Sequence, residues 1–224
     1  MKEYKQDNMT IHNADCMDIM AQYEDNYFDL AVVDPPYGIG EGRKKRENTK
    51  SSKWAAPTDK VHNLKEWDSE TPPQIYFDEL FRVSKNQIVW GANYMIDKIK
   101  TPSMGWIFWD KKNGNNDFSD GELAYTSFKK GLRKFSYLWN GFQKQIPEKR
   151  WHPTQKPVRL YNWIYENYAE SGQKILDTHG GSFSNAIAAH YAKMHFVGCE
   201  LDEDYYLAAI ERIKKETSQL SFDF

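Results

Sequence analysis

The segment Asp34-Pro35-Pro36-Tyr37 combines a carboxylate, two imide rings and an aromatic ring directly after the apolar run 28–33. Proline fixes φ near roughly −65° and has no N–H, so the turn is rigid and offers carbonyl acceptors without competing donors. The residue before a proline is pushed out of the helical region, so Asp34 should project from the end of a strand. Such a corner is suited to holding a planar amine. Taken alone, the four residues are more often a strand-ending turn with a solvated Asp34 and a packing Tyr37.

A second candidate site follows the apolar residues that precede Asp177, where the chain runs into Gly180 and Gly181 and then into a helical pattern. Glycines at the start of a helix let the backbone approach a ligand closely. Glu200 stands at the end of the next predicted strand, near the ~20-residue offset at which an acid meets ribose hydroxyls. The glycines do not form GxGxxG and no Walker lysine follows, which favours a nucleoside-bearing cofactor without a large phosphate requirement. The alternative is an ordinary strand-to-helix turn with a solvated Glu200.

The third segment is 152–157, with the sequence HPTQKP. Its two prolines fix a loop in which Thr154, Gln155 and Lys156 carry hydroxyl, amide and ammonium groups. These groups could hold the carboxylate end of a small zwitterion, and Pro157 can occupy the first position of the following helix. The alternative is a helix-entry loop with a surface lysine.

The elements that must position these segments can be predicted from hydrophobic periodicity. Strands are expected at 9–12, 28–33, 87–90, 105–109, 122–128, 135–139, 174–177 and 195–200. Helices are expected at 17–23, 74–83, 158–169, 184–192 and 202–215. Strands that alternate with helices indicate parallel βαβ units, so the sequence predicts one α/β domain over residues 1–224 with its site along one edge of the sheet.

Charge is concentrated in two blocks, although the net charge of the chain is only −2. Residues 42–60 carry a net +5 and residues 128–151 a net +6. Basic blocks are most often solvated loops, but two beside one site would form an electrostatic footprint for phosphates. We expect 38–73 to be a mobile basic insertion and 111–151 a small target-recognition region. The candidate DNA-binding residues are Arg43, Lys44, Lys45, Arg46, Lys53, Lys129, Lys130, Arg133, Lys134, Lys149 and Arg150.

Cys16 and Cys199 are the only cysteines and lack metal-binding spacing. They indicate reduced core thiols, and no metal site is expected. The N-terminal residues lack the apolar core of a signal peptide and no segment approaches membrane-spanning length, so we expect a cytoplasmic protein.

The three segments stand in the order of the β-class amino-methyltransferases of DNA, and the chain resembles the small phage- and prophage-type N6-adenine enzymes in particular. The resemblance extends to residues 90–94, 109–111 and 118–124, and so spans nearly the whole sequence. It implies a Rossmann-like class I methyltransferase fold in a circularly permuted order, with the catalytic motif before the cofactor motif. The implied fold is a mixed, mostly parallel sheet with helices on both faces. The implied cofactor is S-adenosylmethionine and the implied partner is double-stranded DNA, with a homodimer as a further possibility.

The resemblance also implies roles for individual residues. Asp34 and the Pro35 carbonyl would accept hydrogen bonds from the exocyclic amine of a flipped adenine, Pro36 would stiffen the turn, and Tyr37 would stack on the base. The residues implied in cofactor binding are Asp15, Cys16, Asp34, Thr154, Gln155, Lys156, Asp177, His179, Gly180, Gly181, Ser182, Glu200 and Leu201.

The sequence departs from the family pattern Asp-Pro-Phe-x-Gly-Ser-Gly, because Thr178, His179 and Phe183 replace its Pro, Phe and last Gly. Phe183 in place of glycine bears on how closely the backbone can approach the cofactor. His179 would contact the cofactor differently from the family's Phe. The alternatives are an N4-cytosine methyltransferase, an RNA adenine methyltransferase and a catalytically inactive nucleic-acid-binding protein. The family favours Ser over Asp at the first catalytic position for cytosine, so Asp34 favours adenine.

Overall fold

The computed structural model of the 224-residue chain describes residues 2–40, 68–114, 119–139, 144–146 and 148–218. The nine strands of the described residues are β1 (Lys2–Gln6), β2 (Met9–Asn13), β3 (Leu30–Val33), β4 (Gln87–Trp90), β5 (Trp106–Asp110), β6 (Gly121–Thr126), β7 (Arg133–Ser136), β8 (Lys174–Asp177) and β9 (His195–Glu200). The α-helices are α1 (Cys16–Met20), α2 (Gln74–Val83), α3 (Val158–Tyr168), α4 (Ser184–Tyr191) and α5 (Glu203–Thr217).

The strands form one sheet in the order β1-β2-β9-β8-β3-β4-β6-β5-β7. The pairs from β2 to β4 are all parallel, β5 and β7 are parallel, and β1–β2, β4–β6 and β6–β5 are antiparallel. The predicted mixed, mostly parallel α/β sheet is therefore confirmed, with the Asp34 segment before the Asp177 segment in the chain.

Helices cover both faces of the sheet, as alternate residues of β3 show. Leu30 and Val32 lie in the core cluster that contains residues of α3, α4 and α5. Ala31 and Val33 lie in the second cluster, with residues of α1 and α2. A strand buried on both faces appears in the sequence as a continuous apolar run, which explains the run 28–33.

The structure differs from the sequence prediction at several elements. Strand β1 was not predicted, because it is an edge strand of mostly exposed polar residues, KEYKQ, that pairs on one side only. Helix α1 ends at Met20 rather than residue 23, β6 ends at Thr126 rather than residue 128, and β7 is Arg133–Ser136 rather than 135–139. Pro157 is the N-cap of α3 with ψ 146° and not its first helical residue.

The carboxyl ends of β2, β9, β8, β3 and β4 meet at one edge of the sheet, which we call the carboxyl edge. The register fixes this, since Asn13 pairs with Glu200 and Asp177 with Gly198 at that end. Asp34 directly follows β3, which pairs in parallel with β8. Within the part of the chain that the structure describes, no helix is both long and apolar enough to cross a membrane.

Candidate active site

Both oxygens of the Asp34 carboxylate are held by side chains. The Tyr37 hydroxyl donates to Oδ1 at 2.7 Å, and Lys156 Nζ donates to Oδ2 at 2.5 Å. Burial raises the pKa of Asp34, and Glu122 adds to the rise while Lys156 opposes it. Only about a fifth of the Asp34 side chain is exposed (19%), so its charge acts in a partly water-excluded corner.

Lys156 belongs to a cluster of four charges, which we call the charge cluster: Asp34, Glu122, Lys156 and Lys111. Lys156 Nζ lies 3.1 Å from Glu122 Oε2, and Lys111 Nζ lies 2.5 Å from Glu122 Oε1. Burial opposes ionisation of Glu122, but the two ammonium groups outweigh it and lower its pKa to about 2. Burial would lower the pKa of Lys156, whereas Asp34 and Glu122 raise it above the ordinary lysine value. The cluster therefore brings two acidic and two lysine side chains into direct contact.

The Tyr37 ring, which the sequence predicts to stack on a base, is stacked on Tyr94 with centroids 5.2 Å apart and planes 15° apart. It also lies against the backbone of Gly91, where a Cβ would come within 2.0 Å of the ring. Gly91 has φ +66°, so both its conformation and its neighbour favour glycine. About half of Tyr94 is exposed, at 49%.

The turn after Asp34 is fixed by Asp68, a buried acid 31 residues beyond Tyr37. Asp68 Oδ1 accepts the N–H groups of Tyr37 (2.7 Å) and Gly38 (2.9 Å), and its backbone carbonyl accepts the N–H of Gly40 (2.9 Å). Asp68 thus fixes the backbone directly after Pro35 and Pro36. The sequence prediction had placed Asp68 in the mobile insertion 38–73.

The predicted cofactor half of the site begins with Asp177, which is buried at the end of β8. Its Oδ2 accepts from Asn185 Nδ2 at 2.9 Å and its Oδ1 from the His179 N–H at 3.1 Å. Burial raises the pKa of Asp177 to about 7, and these two hydrogen bonds oppose the rise. Asn185 also donates to the Val32 carbonyl at 3.1 Å, which ties the end of β8 to β3.

Glu200 is held by backbone N–H groups at the end of β9. Gly181 N donates to its Oε2 and Asp202 N to its Oε1, each at 2.8 Å. Gly181 has φ +52° and lies at the turn before α4. The contact between the glycine turn and the strand-end acid brings the two sequence features together, as the predicted nucleoside site requires.

Phe183, which replaces the last Gly of the family pattern, fits this turn because of its backbone conformation and its packing. It is the N-cap of α4 in the left-handed conformation (φ 50°, ψ 36°), which costs a non-glycine residue about 1–2 kcal/mol. Its ring is fully buried and fills the space left by two glycines, since a Cβ on Gly180 would lie 2.1 Å from it and one on Gly198 2.6 Å. Burial of an aromatic ring offsets the backbone cost.

The other two departures, Thr178 and His179, lie against α2. The Thr178 hydroxyl lies 2.7 Å from the Tyr76 hydroxyl and 2.9 Å from His179 Nδ1, and the imidazole meets the Tyr76 ring edge-on at 5.3 Å. Burial lowers the pKa of His179 to about 4. The imidazole is therefore neutral at physiological pH and occupies the position of the family's Phe as an uncharged ring.

Asp15, Cys16 and Leu201 complete the predicted cofactor set. Asp15 is the exposed N-cap of α1, whose Oδ1 accepts from Met17 N at 2.8 Å. Burial and then Asp15 raise the pKa of Cys16 to about 12, so the thiol is protonated. Leu201 is 71% exposed directly after Glu200 and presents apolar surface beside the acid.

The segment 152–157 joins the two halves of the site. The His152 imidazole packs on Gly181, where a Cβ would lie 3.5 Å from the ring, and Lys156 reaches Asp34. Gln155 is buried and its amide serves the loop itself: Oε1 accepts from Trp151 N at 2.8 Å, and Nε2 donates to Glu148 at 3.3 Å. Thr154 is exposed.

The predicted DNA-binding residues divide into three groups. Arg43, Lys44, Lys45, Arg46 and Lys53 lie outside the described residues.

Exposed Lys149 and Arg150 lie beside the segment 152–157, since Arg150 donates to the carbonyls of His152 and Pro153. Lys134 on β7 pairs with Asp110 Oδ2 at 2.7 Å, at the carboxyl end of β5.

Lys129, Lys130 and Arg133 lie at the opposite edge of the sheet from Asp34. They follow the end of β6, where Thr126 pairs with Ile88 near the start of β4, and Arg133 begins β7. Lys130 Nζ donates to the Asn167 carbonyl at 2.6 Å, near the end of α3. The structure therefore does not bring these three residues to the predicted site.

Sequence reasoning missed Asp68, Lys111, Glu122, Tyr94 and Asn185 as parts of the site. Asn185 could have been found, because it lies eight residues after Asp177 in the next helix. Tyr94, Lys111 and Glu122 lie in the segments 90–94, 109–111 and 118–124, to which the family resemblance extends without giving them a role. Asp68 lies in the predicted insertion 38–73 and had no such signal.

Comparison with known proteins agrees with this geometry. Residues 84–211, more than half of the chain, match the DNA methylase family (N6_N4_Mtase). A putative methylase, YubD of Escherichia coli K12, is 23% identical over 221 residues, which cover 89% of this chain and 87% of that protein.

Two solved structures have the same fold. One is the PvuII DNA methyltransferase, described as cytosine-N4-specific, at TM-score 0.60 and 12% identity over 96% of this chain and 92% of that one. The other is TTHA0409, a putative DNA modification methylase from Thermus thermophilus in complex with S-adenosyl-L-methionine, at TM-score 0.59 and 17% identity over 94% and 95% of the two chains.

Proposed function

Because the chain belongs to the DNA methylase family, we propose that it transfers a methyl group from S-adenosylmethionine to N6 of an adenine flipped out of double-stranded DNA. One observation carries the proposal: the partly buried carboxylate of Asp34 and the Gly181–Glu200 contact lie at the carboxyl ends of β3, β8 and β9, which are neighbours in the parallel part of the sheet. An amine acceptor corner and a nucleoside site are the two parts that such a transfer needs.

The residues at the ends of β8 and β9 fit the cofactor. Glu200 is fixed by two backbone N–H groups at the carboxyl end of β9, where a ribose-binding acid is expected. Leu201 offers apolar surface for a nucleobase beside them. When bound there, S-adenosylmethionine supplies an electrophilic methyl group.

Asp34 acts on the amine that receives the methyl group. The lone pair of an exocyclic amine is delocalised into its ring, so the nitrogen is a weak nucleophile. An acceptor on its N–H favours the pyramidal geometry needed for attack and stabilises positive charge as it develops. The charge of Asp34 is worth more in its partly water-excluded corner than in bulk water. The methylated ammonium is acidic and can lose its proton to Asp34 or to water.

The base must leave the duplex to reach Asp34, at a cost of a few kcal/mol that stacking partly offsets. Tyr37 and Tyr94 are the aromatic rings beside Asp34, and Tyr94 covers Tyr37 in this structure. Entry of a base between them requires the half-exposed Tyr94 to move. Exposed Lys149 and Arg150 lie beside the segment that carries Lys156 and are our candidates for phosphate contacts.

The proposal is tested by expressing the chain in a host that lacks adenine methylation and mapping modified bases in its genome. We expect N6-methyladenine at a short recurring sequence, none with Asp34→Ala, and an unchanged map with Asp78→Ala, an exposed acid on α2. If the map showed N4-methylcytosine and no N6-methyladenine, the target base would be cytosine and not adenine. A folded protein that leaves no methylated DNA base would contradict the proposal.

A further inference from the structure

Glu122 lies on β6, outside the segments that carry the proposed chemistry, yet its side chain reaches them. Its Oε2 lies 3.1 Å from Lys156 Nζ and 3.3 Å from the Tyr37 hydroxyl oxygen, whose single proton is donated to Asp34 at the shorter distance. Its Oε1 accepts from Lys111 Nζ at 2.5 Å. The register explains the reach, because Ala124 pairs with Trp90 at the carboxyl end of β4 and Glu122 extends two residues beyond it.

Lys156 is shared between two carboxylates and one hydroxyl. Its ammonium lies 2.5 Å from Asp34 Oδ2, 3.1 Å from Glu122 Oε2 and 3.1 Å from the Tyr37 hydroxyl. Only 5% of the Lys156 side chain is exposed. An ammonium has three hydrogens, so the cluster contains one acceptor for each of them.

This arrangement weakens Asp34 as an acceptor while Lys156 stays on it. Each Asp34 oxygen keeps a lone pair for a target amine, but Lys156 and Tyr37 already take one bond each, and the ammonium draws on the negative charge that the amine needs. A buried ammonium that lost its carboxylate without replacement would be strongly disfavoured. Glu122 is already within hydrogen-bond reach, so the exchange needs only a small movement of the lysine head.

We propose that Glu122 is a positioning residue that takes Lys156 from Asp34 when the target amine enters, so that Asp34 can accept hydrogen bonds from it. The inference rests on the proposed function. Lys111 fixes the second oxygen of Glu122 and lies over the Trp109 ring at 5.1 Å, which holds the acceptor in place. Glu122 stays ionised throughout the physiological range because the two ammonium groups lower its pKa to about 2.

The test compares Glu122→Gln with Asp120→Asn, which removes an exposed acid two residues earlier on the chain. With Glu122→Gln, Lys156 stays on Asp34, so we expect kcat to fall at least about tenfold while the cofactor Kd stays within about threefold. Asp34 also loses a neighbouring negative charge, so the acid limb of the kcat/KM profile should move to lower pH. Asp120→Asn should leave kcat and the acid limb as in the wild type, and Glu122→Asp should recover part of kcat.

A second measurement does not depend on methyl transfer. A double-mutant cycle of Asp34→Asn and Lys156→Met, followed by thermal unfolding, gives the coupling between these two residues. In the Glu122→Gln background we expect the coupling constant to rise at least about fivefold, because Lys156 has lost its competing partner.

Unchanged coupling, or a wild-type kcat in Glu122→Gln, would overturn the role of Glu122. A fall in kcat without movement of the acid limb would also overturn it and would assign Glu122 to the fold alone. If coupling rises as expected but the wild type methylates no DNA, the proposed function fails while the exchange of Lys156 stands.

Discussion

Two carboxylates at the carboxyl edge of the sheet are held by different chemistry. Asp34 is held by the side chains of Tyr37 and Lys156, whereas Glu200 is held by the backbone N–H groups of Gly181 and Asp202. Side-chain donors can move to other partners, but backbone donors in a turn are fixed by the fold. Under the proposed function, Asp34 with Tyr37 and Lys156, here called the amine corner, would exchange hydrogen bonds during the reaction. Glu200 with Gly181, here called the nucleoside corner, would hold one geometry.

The largest expected effect comes from neutralising each acid in turn. Asp34→Asn should lower kcat more than about 10³-fold, since the full charge beside the amine is lost, and leave the cofactor Kd within about threefold. Glu200→Gln should raise the cofactor Kd about 10–100-fold and change kcat at saturating cofactor much less. Calorimetric titration and labelled-methyl transfer measure the two quantities.

The matched controls for this pair are Asp78→Asn and Glu203→Gln, exposed acids on α2 and α5. Both should behave as the wild type. If Asp34→Asn weakened cofactor binding as strongly as Glu200→Gln, the two corners would not be separate and the comparison would fail.

Removing the ammonium group of Lys156 tests how much this cation stabilises the amine corner. Lys156→Met leaves Asp34 and Glu122 without their shared cation, and each side chain is about a fifth exposed, at 19% and 21%. We expect the free energy of unfolding at pH 7 to fall by about 3 kcal/mol, the lower end of the cost of breaking a buried pair. Denaturant unfolding measures it.

The deficit of Lys156→Met should depend on pH. Burial already raises the pKa of Asp34, and loss of the lysine raises it further, so the folded state binds a proton that the unfolded state releases above its ordinary pKa. The free energy of unfolding of Lys156→Met therefore falls as the pH rises above the ordinary pKa of Asp34. Its deficit relative to the wild type should shrink as the pH is lowered toward 4. Lys85→Met, which removes an exposed partner of Asp29, should cost at most about 1 kcal/mol.

The cofactor Kd of Lys156→Met also tests the prediction that this lysine contacts the cofactor.

The nucleoside corner could be predicted from the sequence, because its contacts lie within one strand–helix–strand unit. Asp177, Gly181 and Glu200 follow spacing that the geometry of parallel strands imposes. The parallel strands and the helices were predicted for the same reason, since their buried faces leave a period in the sequence. Strand β1 leaves none, because it is an edge strand with mostly exposed polar side chains.

The amine corner could be predicted only at its first residues. Lys156 was assigned to a functional loop, but its contact with Asp34 spans 122 residues and follows from the order of strands in the sheet. Glu122 reaches the site through the antiparallel pairing of β6 with β4, which hydrophobic periodicity does not specify. Side chains that meet through sheet order become visible only in the folded chain.

Asp68 offers a smaller test of how rigidly the amine corner is held. Asp68→Ala removes the acceptor of the Tyr37 and Gly38 N–H groups, so we expect about 2 kcal/mol of lost stability from donors left without it. Displacement of the turn should also lower kcat more than it changes the cofactor Kd. Asp120→Ala is the control in chemical denaturation and methyl-transfer assays. Unchanged stability would show that the prolines alone fix the turn.

The smallest expected effect concerns the nucleoside corner and its dependence on pH. His179 has a pKa of about 4 in the folded protein because of burial, against an ordinary value of 6.5. Between these values the unfolded chain binds a proton and the folded chain does not, so wild-type stability is lost as the pH falls through this window. His179→Phe removes that loss while keeping a ring of similar size against Tyr76.

We therefore expect the stability of the wild type relative to His179→Phe to fall by about 2 kcal/mol or less between pH 6.5 and pH 4, given that the ring is partly exposed. Asp177, whose pKa is raised to about 7, has the opposite dependence, but it is common to both proteins and cancels in the difference. At pH 8 the two should differ only by the hydrogen bond to Thr178 and by packing. Denaturant midpoints across this range measure the difference. A difference that does not vary with pH would mean that His179 is hydrated in the folded state and that this corner is more open than its contacts indicate.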